Sequence, residues 1–295
     1  MAKRCMLLYF LGILFRLVAQ DQPAELKVAA VQFRSSPTIE ENATRMRDIL
    51  GKLANDGVRV AVFPECALTR YNRDNILTAK AEDIAAAEEQ IRRFCREKQI
   101  STVFGSVYKI NGRAYNTAVV FNTRGELIER YAKVYLAGEK WFTPGNHISF
   151  FELEGIPSTV MICHDERYPE LVRLPAIQGA RIVYYISHES GLREESKLAP
   201  YRAQLMARAV ESRVFIVSAN APADPKDLSG SHGQSRIVND DGNIVKEASF
   251  FGEEILIETL KVKSAKLERP LEELMGGWWR QGVEFMMRHR QRALD

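Results

Sequence analysis

Short apolar runs, almost unbroken by polar residues, recur along this chain: LKVAAVQF (26–33), VRVAVFPE (58–65), STVFGSVYKI (101–110), ARIVYYIS (180–187) and VFIVSAN (214–220). Strands that read this way, without apolar–polar alternation, are buried on both faces, so each sheet must be covered on both sides. The covering elements lie between the runs. IEENATRMRDILGKLAND places Met46, Ile49, Leu50 and Leu53 on one helical face. Further helices are expected over about Ala79–Glu97, Pro169–Gln178 and Lys197–Ser212. Asn111–Gly112 turns the third run into RAYNTAVVFN, Thr123–Gly125 turns that into ELIERYAKVYL, and Asp241–Gly242 joins QSRIVND to GNIVKEAS. Two βα-type halves joined by antiparallel hairpins predict one α/β domain of helix-covered sheets packed face to face.

The composition allows a sizeable core, with 46% hydrophobic and 27% charged residues among 295. The first residues, MAKRCMLLYFLGILFRLVAQ, have a basic start, an apolar run from Cys5 to Phe15 and small residues near Ala19. That is the layout of a signal peptide, and the run is short for a membrane span. Residues 1–20 are therefore expected to be a leader, and the mature protein to be exported without a stable membrane partner. An uncleaved anchor or a cytoplasmic location is the alternative. Lys3, Arg4 and Arg16 account for the whole formal charge of +3, so the remainder is neutral. No long basic run points to nucleic acid, and no CxxC or HExxH spacing points to a metal. Neither a metal nor another cofactor is expected.

Residues 21–265 are expected to form the main domain. A tail, 266–295, is amphipathic, breaks at Gly276–Gly277 and carries Trp278, Trp279, Phe285 and Met286. Apolar groups of that size are costly to leave in water, so the tail is expected either at a subunit interface of a homodimer or larger assembly, or against its own domain.

Three strand ends present reactive groups. VAVFPE ends in Glu65, YAK in Lys133 and VMIC in Cys163. Each has a bland reading: a helix-start acid, an edge-strand charge, a core thiol. Cys95 shares a helical face with Ile84 and Ile91, and Cys66 follows Glu65; both read as packing residues. Cys163 instead stands at a strand-to-helix corner, where free backbone N–H groups and an exposed side chain favour a nucleophile.

In combination these motifs resemble one arrangement. VAAVQF, FPE, AKVYL with FTPG, CHDERYPE, RAQLMARAVESRVFIVSAN and HGQSRIVNDDGNIV follow in the order of the nitrilase superfamily, the carbon–nitrogen hydrolases, over about Leu26–Leu260. The resemblance implies a four-layer αββα sandwich, homodimers or larger assemblies, and a small-molecule amide substrate. It implies Glu65 as general base, Lys133 as the cationic catalytic residue, Cys163 as nucleophile and Glu139 as a supporting acid beside the lysine. The backbone N–H of His164 would stabilise the oxyanion with Lys133. Tyr71, Glu166, His188 and Glu189 are candidate substrate-binding residues, Glu189 suiting an amine and Arg193 a carboxylate. His164 and His232 read as pocket wall or structural residues.

The sequence after the nucleophile resembles the amidase and carbamoylase branches, whereas true nitrilases more often carry Trp–Glu there. His164 departs from the commoner Tyr or Trp. The reading is an amide or carbamoyl-amide hydrolase working through a cysteine thioester. A nitrilase is the runner-up, and an inactive secreted binding protein on the same fold the remote alternative.

Overall fold

In the computed structural model, which describes residues 24–228, 230–263 and 276–292, the apolar runs become the central strands of two six-stranded sheets. The first half of the chain comprises β1 (Ala24–Gln32), α1 (Ile39–Asn55), β2 (Val60–Val62), α2 (Arg73–Thr78), α3 (Ala81–Lys98), β3 (Ser101–Ile110), β4 (Arg113–Phe121) and β5 (Leu127–Ala132). The second half comprises β6 (Phe151–Leu153), β7 (Ile156–Ile162), a 3₁₀ turn (Cys163–Arg167), α4 (Glu170–Ile177), β8 (Ile182–Ser187), a 3₁₀ segment (Leu192–Lys197), α5 (Leu198–Ser212), β9 (Phe215–Asn220), β10 (Arg236–Val238), β11 (Ile244–Glu247) and β12 (Glu254–Val262). A last helix, α6, spans Gly277–Arg292. The expected leader, residues 1–20, and the tail's residues 266–275 and 293–295 lie outside the described residues.

The strand orders are β12-β1-β2-β3-β4-β5 and β11-β10-β9-β8-β7-β6. Each sheet has three parallel strands at its centre, β1-β2-β3 and β7-β8-β9, flanked by antiparallel pairs. Alternation along the strands explains why the runs are apolar throughout. Val28, Val60, Val62 and Val103 face Ile162, Tyr184, Ile186 and Val217 between the sheets. Their neighbours Ala29, Val31, Ala61 and Phe104 turn outward onto Met46, Leu50 and Leu53 of α1 and Ile84, Ile91 and Cys95 of α3. Met161, Val183 and Ile216 do the same on the other side, against Val172 of α4 and Leu205 and Ala209 of α5. The layers are α, β, β, α, as the resemblance implies.

Two elements were not legible from periodicity: the six-residue α2, started by Asn72, whose side chain accepts the Asp74 and Asn75 N–H groups, and the three-residue edge strand β6. Both are shorter than any window in which a period can be read. The Asn111–Gly112 turn is as expected, with φ of 50° and 72°.

Candidate active site

Glu65, Lys133 and Cys163 each lie at or just past the end of a strand, at the same rim of the sandwich. Glu65 sits in the turn after β2, three residues beyond Val62 rather than within the strand. That turn presses on β3 at Gly105. A Cβ there would lie 2.1 Å from the Cys66 nitrogen and 2.4 Å from the Pro64 oxygen. Gly105 also donates to Pro64 and accepts from Leu68, both at 3.0 Å. Glycine at this strand position is what allows the Glu65 turn to seat against the sheet. Lys133 follows β5, its N–H bonded to the Asn116 carbonyl on β4 at 2.9 Å. Cys163 opens the 3₁₀ turn after β7 with φ of 47°, a left-handed conformation. The corner is tied by Asp165. One of its oxygens accepts from the Ile162 N–H (3.1 Å) and the Tyr131 hydroxyl (2.9 Å), the other from the Tyr135 N–H (2.9 Å).

The polar groups close into a ring. The Lys133 ammonium, wholly buried, is 2.9 Å from Glu65 Oε1 and 2.7 Å from Glu139 Oε1. The Tyr71 hydroxyl donates to Glu139 at 2.7 Å, and the Tyr71 ring stacks on His188 with centroids 4.7 Å apart. The His188 N–H donates to Glu65 Oε2 at 2.8 Å. Asn116 Nδ2 donates to Glu65 Oε1 at 2.6 Å, so the carboxylate is held at both oxygens. The Cys163 thiol points to the His188 carbonyl at 4.0 Å. Glu65 and Cys163 thus meet across the backbone of one residue. Cys163, His164, Tyr71 and His188 are half-buried, whereas Glu65, Lys133 and Glu139 are buried.

Environment separates the two carboxyls beside Lys133. Burial raises the Glu65 pKa, against the pull of Lys133, and the neighbouring Glu139 raises it further. Glu139 also resists burial, but the Lys133 charge and the donations from Lys133 and Tyr71 prevail and its pKa is lowered. Lys133 is held firmly charged, its burial outweighed by the carboxyls of Glu65 and Glu139. Burial, then Glu65, pushes the Cys163 thiol well above its ordinary value. Cys163 is therefore a thiol at rest, beside a Glu65 carboxyl whose affinity for a proton is raised, and Glu139 is the more acidic of the two glutamates. Burial lowers His188 to about 4 and lowers His164 and His232 as well, which leaves all three imidazoles neutral at pH 7.

Among the candidate substrate-binding residues, Tyr71 and His188 are half-buried beside Glu139 and Glu65, whereas Glu166 and Glu189 are buried on the Tyr185 hydroxyl. Arg193 is exposed. Asn116 was missed by sequence reading, although a polar residue inside an otherwise apolar strand was a signal for it. Among the described residues no group of three or more His, Cys, Asp or Glu side chains is arranged to hold a metal ion.

The family model for carbon-nitrogen hydrolases matches residues 27–269. The chain belongs to the carbon–nitrogen hydrolase family and is a hydrolase of the nitrilase superfamily. It is similar to the deaminated glutathione amidase of Escherichia coli O157:H7, 28% identical over 256 residues that cover 83% of this chain and 95% of the relative. It is similar also to the 2-oxoglutaramate amidase of Bacillus subtilis, 29% identical over 193 residues covering 64% and 73%. The crystal structure of an amidase from Nesterenkonia sp. shares the fold, with a TM-score of 0.74 at 24% identity over 86% of this chain and 96% of that one.

Proposed function

We propose that the protein hydrolyses a small amide or carbamoyl-amide through a thioester on Cys163, releasing ammonia or an amine. The observation that carries this is the buried Glu65–Lys133–Glu139 assembly set beneath a thiol on a positive-φ corner. Glu65 takes the thiol proton as sulfur attacks the carbonyl carbon, and the oxygen gains the negative charge. Lys133 and the His164 N–H stabilise that charge. The C–N bond then breaks, Glu65 returns the proton to the departing nitrogen, and a thioester remains. Water attacks next, giving its proton to Glu65; the C–S bond breaks, the carboxylic acid leaves and the thiol is restored. In the resting state the thiol faces the His188 carbonyl, so substrate must bring thiol and carboxylate into line, as apo geometries commonly require.

The names of the two amidase relatives support an amide over a nitrile. Ammonia release from a panel of ω-amides, carbamoyl amines and carbamoyl amino acids, with nitriles beside them, tests the reading. Turnover of amides, abolished in Cys163→Ala, is expected; turnover of nitriles alone would replace it with nitrile hydrolysis. Two further parts of the proposal rest on sequence. The basic, apolar N-terminus supports export with loss of the first 19–20 residues, and N-terminal sequencing of protein from its host, reading an intact Met1, would contradict this. The apolar tail supports a homodimer or larger assembly.

A further inference from the structure

A cluster of acids that the chemistry above does not use lies directly behind the nucleophile. Glu166 and Glu189 are 1% and 4% exposed, and Tyr185 of β8 is fully buried between them. The Tyr185 hydroxyl is 2.6 Å from Glu189 Oε1, 3.2 Å from Glu166 Oε2 and 3.1 Å from the carbonyl oxygen of Cys163. A phenol has one hydrogen to give and can accept two. With both carboxyls ionised, three acceptors contest that single hydrogen, and two of the contacts set lone pairs against lone pairs in a site without water's dielectric. A proton kept on the pair turns one such contact into a bond, because its carboxyl then donates to the Tyr185 oxygen. Tyr185's own hydrogen is then shared between the other carboxyl and the Cys163 carbonyl, and a second proton on the pair would leave it to Cys163 alone.

The Cys163 carbonyl and the His164 N–H belong to one trans peptide and point in opposite directions. Whatever holds the carbonyl therefore aims the N–H. That N–H lies in the first turn of a 3₁₀ segment, where the helix offers it no partner.

We propose that Tyr185, Glu166 and Glu189 form a positioning network, with at least one proton retained on the carboxyl pair, that holds the Cys163 carbonyl and so aims the His164 N–H at the developing oxyanion. The inference rests on the amide-hydrolase reading for its catalytic consequence, though not for the network itself. Other charged groups face the pair. Arg167 adjoins Glu166 in the turn, Arg208 of α5 donates to the Glu166 backbone carbonyl at 3.2 Å, and Arg236 of β10 lies close enough to favour ionisation. His232 Nε2 is 3.2 Å from Glu189 Oε2 but not aligned to bond, and its ring is neutral. Burial, then Glu189, outweighs the Tyr185 hydrogen bond, Arg167 and Arg236 and raises Glu166 well above the carboxylate range. Donation to a peptide carbonyl also strengthens the N–H of the same peptide as a donor, so the network both orients and polarises it.

Four variants and a spectrum test this. Tyr185→Phe, which keeps the ring and removes the hub, is expected to lower kcat about tenfold or more with KM within about twofold, as loss of an aimed oxyanion donor does. Glu166→Gln carries a permanent N–H donor and is expected to keep most of the rate that Glu166→Leu loses. Its alkaline limb of kcat should move to higher pH, a change that a merely structural side chain would not produce. The infrared difference between the wild type and Glu166→Gln/Glu189→Gln at pH 8 should contain the C=O band of a protonated carboxyl, whether or not the enzyme turns over. Absence of that band, or a folded Tyr185→Phe with kcat within about twofold of wild type, overturns the network. A wild type that releases nothing from any amide would overturn the functional reading instead, and the infrared result would still decide the network.

Discussion

Burying an ammonium beside two carboxylates costs solvation that only their mutual attraction returns. Lys133 is in that position, so the charge proposed to act in the chemistry is also one on which the packing of Glu65 and Glu139 depends. Lys133→Met leaves Glu65 and Glu139 facing each other without a cation. It is expected to destabilise the chain by about 3–5 kcal/mol and to lower kcat by about 10²–10³ in whatever folds, read by urea denaturation and ammonia release. The acid limb of the pH profile follows from the same three residues. Glu65 must be ionised to act as a base, and its pKa is raised, so kcat/KM should fall at a pH above the ordinary carboxylate value. Glu139 is one of the groups that raise it. Glu139→Gln removes that repulsion and frees Lys133 for Glu65, so the limb should move to lower pH. A limb that stays in place or rises would contradict the assignment of Glu65 as the base.

At the scale of elements, the site depends on how closely neighbouring backbones approach. Gly105→Ala would drive a methyl into the Cys66 nitrogen, so β3 or the Glu65 turn must move. A loss of about 1–3 kcal/mol is expected, with a larger relative fall in activity than in stability. Gly112→Ala is the control: φ is 72° there and nothing lies within 4 Å, so strain without an activity change is expected. Thermal unfolding beside kcat for both variants reads the contrast, and equal activity losses would contradict it. These elements also show what the sequence made legible. Glu65, Lys133 and Cys163 stood out because each interrupts an apolar run, and the strand ends do converge. Gly105 inside STVFGSVYKI and Asn116 inside RAYNTAVVFN were signals of the same kind, a residue at odds with its strand. What they touch comes from another strand's register, which no local pattern records. Glu166 and Glu189 read as pocket residues from their nearness to Cys163 and to β8; one in the 3₁₀ turn and the other just past the end of β8, they are instead buried on the Tyr185 hydroxyl, a contact between two segments that no local pattern records.

For the whole molecule, the two-sheet sandwich followed from doubly buried strands, since each needs a helix layer on one side and a second sheet on the other. The tail does not close that account. α6 leaves Trp278 70% exposed and Met287 66% exposed, an apolar surface that its own domain does not cover. Light scattering of the full chain at micromolar concentration is expected to give at least about twice the 33.5 kDa of one chain. A monomer throughout would reject assembly through this surface. Among the described residues no helix is long and apolar enough to cross a membrane.

Intact-protein mass spectrometry of Glu65→Gln mixed with an amide that the wild type hydrolyses reads the mechanism most directly. A thiol keeps some nucleophilicity without its base, but water depends wholly on the carboxylate, so the variant should acylate slowly and deacylate more slowly still. A thioester should accumulate, seen as a mass increment equal to the acyl group and absent from Cys163→Ala. Turnover by Glu65→Gln at the wild-type rate, or activity retained in Cys163→Ala, would contradict the account.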